Sequence, residues 1–220
     1  MYTKRLGLRL RAWLLVGEAL IMTTRHKKIL QMTGLDPDSD EIIEIFCIIT
    51  TGALEVVDEA GWGTVVHQPR ERLEMMDEWC TRTHARSGLT AAVLASTTTA
   101  EQAAEGLLAY IRRHVPDRPG AALLAGNSVH ADRAFLRKHP YRPVLDYLHH
   151  RILDVSSLKE AARRWCPPDV VARAPHKRGL HQAKEDILES IAEARYYKDA
   201  IFSRDGGGSR DNENGTSTAT

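Results

Sequence analysis

Hydrophobic and polar positions along the chain first mark out a buried strand. Residues 42–49 read Ile-Ile-Glu-Ile-Phe-Cys-Ile-Ile, a nearly continuous apolar run that predicts a strand covered on both faces. Two shorter apolar stretches, residues 54–57 and 64–67, follow at short spacing with Gly61 and Gly63 between them. This part of the chain therefore predicts an antiparallel meander of strands.

A helical pattern replaces the strand pattern after this meander. Thr98 and Glu101 have the spacing of a capping box, which marks the start of a helix. The apolar residues that follow share one helical face: Ala104, Leu107, Leu108, Ile111 and Val115. Pro116 closes the predicted helix.

The remainder of the chain alternates between strand and helix. Residues 121–125 predict a short strand that leads into the turn Gly126-Asn127-Ser128, and residues 151–155 predict another strand. Two helices follow, one opened by Ser157-x-x-Glu160 and a last one over about residues 181–201. This order predicts one α/β domain, a mixed sheet flanked by helices.

Length and composition agree with a single domain between two atypical ends. The chain has 220 residues, 43% of them apolar, which suffices for one well-packed α/β domain. We assign this domain to residues 32–202 and a disordered tail, rich in Gly, Ser, Thr and Asn, to residues 203–220. The basic segment at residues 1–31 fits a mitochondrial transit peptide, a disordered terminus or a misassigned exon. The expected location is the cytoplasm or the mitochondrion.

Charge and cysteine content restrict the binding partners and the compartment that we expect for this protein. Residues 1–31 hold seven Lys and Arg against one acid, which leaves 23 bases and 28 acids, a net charge of −5, for the rest. An acidic body that handles nucleic acid needs metal ions or a local basic groove to tolerate phosphate. The three cysteines, Cys47, Cys80 and Cys166, form no CxxC pair. This indicates a protein without disulfides or a zinc site, in a reducing compartment. No apolar run is long enough to span a membrane, so no membrane partner is expected.

Several polar residues have positions that suit a functional site, although each has an ordinary structural explanation. Asp132 follows a strand-to-helix turn, where ligands bind in open α/β sheets, but an acid there also complements a helix dipole. His181 and Asp186 lie at the last helix and could equally be solvated polar residues. Trp79 would usually lie in a core and His84 on a surface.

Six ordered motif blocks run from Met32 to about Phe202. They are Met32-Thr33-Gly34-Leu35-Asp36 with Ile42-Ile43-Glu44-Ile45; Met76-Asp77-Glu78-Trp79; Arg82-Thr83-His84-x-x-Ser87-Gly88-Leu89; Gly126-Asn127-Ser128-x-x-x-Asp132-Arg133-x-Phe135-Leu136; His149 to Glu160 with Arg163-Arg164-Trp165; and His181-Gln182-Ala183-x-x-Asp186-Ile187-x-Glu189-Ser190. Together these blocks resemble the oligoribonucleases, a branch of the DEDDh 3′→5′ exonucleases.

The resemblance implies a ribonuclease H-like fold and a two-metal mechanism. In this family four carboxylates hold two Mg²⁺ or Mn²⁺ ions, and a histidine acts as general base on the attacking water. By position in the motifs, Asp132 is the third carboxylate, Asp186 the fourth and His181 the base.

The resemblance also implies substrate-binding residues and an assembly. Leu35 resembles the wedge under the terminal bases, and the substrate-contacting residues of the family match Trp79, His84 and Ser128. Arg151 and Ser156 resemble the cap around the 5′ phosphate. The family builds this cap from a second subunit, and the cap restricts it to very short RNA. His150 stands where the family has a tyrosine that stacks on the substrate base from the partner subunit, and imidazole can still stack there. A homodimer acting on short RNA oligonucleotides is therefore expected.

The first motif departs from the family pattern. The family reads Asp-x-Glu-Met-Thr-Gly, whereas this chain reads Ile29-Leu30-Gln31-Met32-Thr33-Gly34, so both carboxylates are absent. Loss of two anionic ligands weakens the binding of a hard cation. The match is strong after this junction and absent before it, which favours a misassigned N-terminal segment over a genuine degenerate paralogue.

The predicted function is that of a 3′→5′ exoribonuclease that degrades very short RNA oligonucleotides to nucleoside 5′-monophosphates. The alternative is a catalytically impaired member of the same fold that binds RNA ends or dimerises, because Ile29 and Gln31 replace the carboxylates. A general α/β scaffold without any nucleic-acid role would require the six blocks to be coincidence.

Overall fold

A mixed sheet forms the centre of the protein. The computed structural model describes residues 30–116, 118–176 and 183–203, together with the backbone of residues 19–23. Predictions that concern residues 1–18, Ile29, His181 and the tail after residue 203 lie outside these described residues. The strands are β1 (Ala19–Thr23), β2 (Leu30–Met32), β3 (Ile42–Thr50), β4 (Trp62–Val65), β5 (Ala122–Gly126) and β6 (Ile152–Asp154).

Strand pairing confirms the predicted mixed sheet. The order is β2-β3-β1-β5-β6, with β4 also paired to β3. Strand β1 runs antiparallel to β3 and parallel to β5, and β6 adds a second parallel pair beside β5. The sheet therefore includes a strand from the segment that the sequence had set apart as atypical.

Strands β1 and β2 lie end to end along one edge of β3. Glu44 pairs with β2 on one edge and with β4 on the other, and Thr50 pairs with β1 on one edge and with Val56 on the other. Because Val56 belongs to the connection that leads from β3 to β4, β1 and β2 share the opposite edge.

The pairing registers of β1 and β2 do not match a single continuous strand. Met22 of β1 pairs with Ile48, and Leu30 of β2 pairs with Ile45. Leu30 follows Met22 by eight residues, whereas their partners on β3, Ile45 and Ile48, are only three residues apart. Five residues between Met22 and Leu30 are therefore in excess of a single register. Two half-strands, separated by an insertion, occupy the place of one central strand.

Helices cover both faces of the sheet. They are α1 (Arg70–Glu74), α2 (Glu78–Arg86), α3 (Leu89–Ala95), α4 (Ala100–His114), α5 (Val129–Phe135), α6 (Arg142–Tyr147), α7 (Val155–Trp165), α8 (Pro168–Ala172), α9 (Ala183–Tyr197) and a closing π-helix (Lys198–Phe202). Within the part of the chain that the structure describes, none of these helices could cross a membrane.

Local chemistry shifts several predicted boundaries. Helix α4 begins with a capping box made by Thr99 and Gln102, one residue after the predicted pair. Helix α7 begins at Val155 rather than Ser157, because the Asp154 side chain accepts a hydrogen bond from the next turn and caps it. The predicted strand at residues 54–57 is wrong: Leu54 has a left-handed backbone, and only a single bridge to Thr50 forms there.

Alternation along β3 divides the core into two layers. Ile45, Cys47 and Ile49 pack with α4 and its neighbours on one face. Ile48 packs on the other face against α7 and α9, where Ile187 and Ile191 are buried. The β3 side chains of both layers are almost fully buried, as the continuous apolar run predicted.

Candidate active site

The turn after β5 brings the first candidate group to the sheet. Strand β5 ends at Gly126, and Ser128 adopts a left-handed backbone (φ 53°) before α5 begins. Helix α5 then carries Asp132, whose exposure is 0%. The Oδ1 atom of Asp132 accepts a hydrogen bond from the backbone N–H of Leu30, at 3.4 Å.

The contact between Asp132 and Leu30 locates the first-motif positions. Leu30 lies between Ile29 and Gln31, the residues that replace the family's two carboxylates. Gln31 is 9% exposed and pairs directly with Glu44 of β3. The described part of the first motif, which begins at Leu30, therefore lies beside Asp132.

Helix α9 supplies the second candidate carboxylate. Asp186 lies in its first turn and is half-buried. One turn further along, Ser190 donates a hydrogen bond to the side chain of Asn127, which directly follows β5. This contact ties the helix that carries Asp186 to the turn that leads to Asp132. His181, the predicted general base, lies outside the described residues and stays a prediction.

The predicted substrate residues near β2 have opposite exposures. Leu35 is 76% exposed and Trp79 is 51% exposed, so both present apolar surface to solvent. His84 is only 3% exposed, and its Nε2 donates a hydrogen bond to the carbonyl of Met32 at 3.2 Å. The ordinary expectation, a buried tryptophan and a surface histidine, is therefore wrong, because His84 anchors α2 to β2.

Helix α2, which carries Trp79 and His84, begins with a charged cap. Asp77 accepts a hydrogen bond from the backbone N–H of Cys80 at 2.6 Å. This bond favours the charged carboxylate and lowers the pKa of Asp77.

Ser128 and Ser156 are brought together by a residue that the sequence analysis gave no role. The N–H of Ser128 donates to Asp154 Oδ1 at 2.9 Å and to Ser156 Oγ at 3.0 Å. Asp154 Oδ1 also accepts from the N–H of Ser156 at 2.9 Å. Asp154 could have been found as an acid three residues before the predicted helix start at Ser157, because Asp is a common N-cap.

His150 and Arg151 lie on the surface between α6 and β6. Both are exposed, and the His150 ring stacks on that of His149 with a centroid distance of 4.2 Å. Desolvation lowers the pKa of His149, and the charges of His150 and Arg151 lower it further. Nothing in the described residues joins this pair to Ser156 by a hydrogen bond.

A basic cavity lies beside α5. Its volume is about 580 Å³, and it is lined by Arg133, Arg137, Arg142, Leu145, Asp146, Leu148 and His150. Asp146 is bound to Arg142 at 2.6 Å, which leaves the balance of charge positive. This surface has the positive charge that was expected of a local basic groove.

The candidate side chains are of the type that binds a divalent cation, but too few of them are anionic. Asp132 and Asp186 offer the oxygen ligands that Mg²⁺ and Mn²⁺ prefer, whereas Gln31 offers only a neutral amide. Among the described residues, no group of three His, Cys, Asp or Glu side chains lies close enough together to hold a metal ion. The described residues therefore do not form a complete two-ion site.

Sequence comparisons find similar proteins among the exonucleases. The model of the exonuclease family (RNase_T) matches residues 31–194. The mitochondrial oligoribonuclease of Mus musculus is 46% identical over 175 residues, which cover 80% of this chain and 72% of the relative. The oligoribonuclease of Marinobacter nauticus is 47% identical over 174 residues, 79% of this chain and 93% of the relative.

Structural comparisons confirm the fold class. Escherichia coli exonuclease I in complex with a dA16 oligonucleotide matches with a TM-score of 0.59 and 15% identity, covering 84% of this chain and 41% of that one. Cell-death related nuclease 4 matches with a TM-score of 0.59 and 10% identity, covering 83% of this chain and 64% of that one. At these identities the likeness shows the fold alone.

Proposed function

Because the chain belongs to the oligoribonuclease family of exonucleases, we propose that Asp132 and Asp186 are the acidic residues with which it works as a 3′→5′ exoribonuclease on very short RNA. The observation that carries the proposal is the buried Asp132 carboxylate beside Leu30, where helix α5 meets the first motif. None of the comparisons favours the impaired alternative over this activity.

The chemistry follows from the family and the two acids. The exonuclease family uses divalent metal ions, and a bound cation supplies Lewis acidity toward the scissile phosphate. Asp132 and Asp186 would hold such a cation, and His181 would accept the proton of the attacking water. That two ions bind, and that they are Mg²⁺ or Mn²⁺, remain proposals from the resemblance.

Two exposed apolar side chains and a pair of neighbouring hydroxyl groups support binding of a short RNA end. Leu35 and Trp79 offer apolar surfaces on which unstacked bases can pack. Ser128 and Ser156 place two hydroxyl groups 3.4 Å apart, which suits contact with a phosphate or ribose oxygen. We propose that these four residues and His84 contact or support the substrate.

The assembly and the location are further proposals. The exposed His150 and Arg151 would complete the site of a second copy, as the cap does in the family, so we propose a homodimer. Relatives include a mitochondrial protein and bacterial proteins, which supports the mitochondrion or the cytoplasm as the location.

Cleavage of a dinucleotide tests the proposed function. The purified chain is incubated with a 5′-labelled RNA dinucleotide and Mn²⁺ beside Asp132→Asn and the control Asp169→Asn, which alters an exposed acid on α8. We expect the control to cleave as the parent does and Asp132→Asn to lose roughly a hundredfold or more in rate.

Two results would contradict this proposal. Unchanged cleavage by Asp132→Asn would remove Asp132 from the site. Absence of cleavage by the folded chain, and also by a variant carrying Ile29→Asp with Gln31→Glu, would reject the exoribonuclease activity itself.

A further inference from the structure

A buried hydrogen-bond network joins three elements behind the two candidate carboxylates. Ser190 Oγ donates to Asn127 Oδ1 at 2.7 Å, and Asn127 Nδ2 donates to Glu193 Oε2 at 3.1 Å. Lys159 Nζ, on α7, donates to Glu193 Oε1 at 3.2 Å. Asn127, Ser190 and Glu193 are each at most 1% exposed, so the network lies in the interior.

The spacing of these residues links the network to Asp186. Asp186, Ser190 and Glu193 are four and three residues apart, so they lie along one face of α9. Asn127 faces the second and third of them, which leaves Asp186 one turn further along the same face. Asp132 follows Asn127 by five residues, through the turn that opens α5.

Apolar packing alone would not fix where α9 lies along its own axis. Ile187 and Ile191 bury the helix against the sheet, but contacts of this kind tolerate sliding because they have no direction. Hydrogen bonds to Asn127 require a single axial position, since they weaken steeply with distance and angle. The buried Glu193 carboxylate strengthens this requirement, because leaving it without Asn127 and Lys159 is costly.

We propose that Asn127, Ser190 and Glu193 are positioning residues that fix α9 along its axis and so hold Asp186 at its place beside Asp132. The proposal rests on the proposed function, because it assigns the network a part in building that active site. These residues do not touch the substrate. They act through the helix that carries Asp186.

Two variants and a matched control test the proposal in the full chain. Ser190→Ala removes one hydrogen bond of the network, and Ser190→Thr keeps the hydroxyl. Tyr147→Phe is the control, because the Tyr147 hydroxyl makes a single buried hydrogen bond of 2.7 Å to Val115, in the other core layer. Stability should fall in both Ser190→Ala and Tyr147→Phe.

Hydrogen–deuterium exchange supplies a readout independent of metal and activity. In Ser190→Ala the amides of residues 187–193 should exchange about tenfold faster, the effect of one lost buried hydrogen bond. In Tyr147→Phe they should stay within about twofold of the parent after correction for overall stability. Equal exchange in Ser190→Ala and the parent would overturn the proposal.

Steady-state cleavage of the RNA dinucleotide in Mn²⁺ supplies the second readout. We expect Ser190→Ala to lower kcat roughly tenfold or more with KM nearly unchanged, since a misplaced ligand affects the reacting geometry. Ser190→Thr should recover most of kcat, and Tyr147→Phe should match the parent. Parent-like kcat in Ser190→Ala would overturn the proposal. Absence of cleavage by both the parent and the variant carrying Ile29→Asp with Gln31→Glu would reject the proposed function, and exchange alone would then decide on the network.

Discussion

The divided central strand yields a prediction about stability. Deletion of residues 24–28 would join Thr23 directly to Ile29 and leave Leu30 opposite Ile45, as it is now. The joined chain would then run along β3 in one register. We expect this deletion to stabilise the protein, although deletions within a β-sheet usually destabilise the protein that contains it.

The magnitude follows from the connection that is removed. Six residues connect Thr23 to Leu30, and closing a loop of that length costs roughly (3/2)RT ln 6, about 1.6 kcal/mol. Each added ladder hydrogen bond contributes about 1 kcal/mol net, so one new bond brings the total to roughly 2–3 kcal/mol. For a chain of this size, that corresponds to an increase in Tm of roughly 5–10 °C.

Thermal and urea unfolding, followed by circular dichroism, measure this effect. A control variant replaces residues 24–28 with five Gly and Ser residues, which keeps the length of the connection and removes its basic character. The control should differ from the parent by less than about 0.5 kcal/mol. A deletion variant no more stable than the parent would show that β1 and β2 are not two parts of one strand.

Three further predictions concern the site and its supports. Ile29→Asp combined with Gln31→Glu should raise the affinity for Mn²⁺ at least about tenfold, measured by calorimetric titration, because two anionic ligands are added. Unchanged affinity would show that residues 29 and 31 do not bind the metal ion. Asp154→Ala should cost roughly 1–2 kcal/mol in urea unfolding, because the N–H of Ser156 loses its acceptor and the N–H of Ser128 loses one of its two, whereas Asp169→Ala should cost little. The lowered pKa of Asp77 means that its carboxylate stabilises the fold above about pH 4, and this contribution is lost as the pH falls through the folded-state pKa. The stability difference between the parent and Asp77→Asn should therefore shrink below about pH 4, and a constant difference would contradict this assignment.

The strands that sequence reasoning predicted well carry strong local patterns. The run at residues 42–49 is apolar at nearly every position, and it forms β3, which is buried except at Glu44 and Phe46, where burial is partial. Strand β1 was missed, because residues 19–23 form a short apolar stretch between a charged residue and a basic run. Its conformation depends on pairing with β3 and β5, which are distant in sequence and which no local pattern reports.

Burial of the polar residues was the least predictable property of the site. Asp132 could have been an exposed helix acid, and only the fold shows that its carboxylate lies against Leu30. The buried Glu193 was not singled out, because a glutamate in a helix is ordinarily solvated. Its partners come from α7 and from the end of β5, so three separate elements must meet before the network exists.

The first motif lacks both carboxylates, and the strand that leads to it contains extra residues. One change in the sequence explains these two departures from the family better than two separate changes do. A degenerate paralogue that loses its carboxylates by point substitution would keep the length of its central strand. Here the loss of both acids coincides with five extra residues between Met22 and Leu30, and the match to the exonuclease family begins at residue 31. We propose a single misassigned junction upstream of residue 31, which would account for the altered register, the missing acids and the edge of the match together. Sequencing the transcript across codons 19–32 decides between the explanations, because a confirmed sequence would require separate insertion and substitution events.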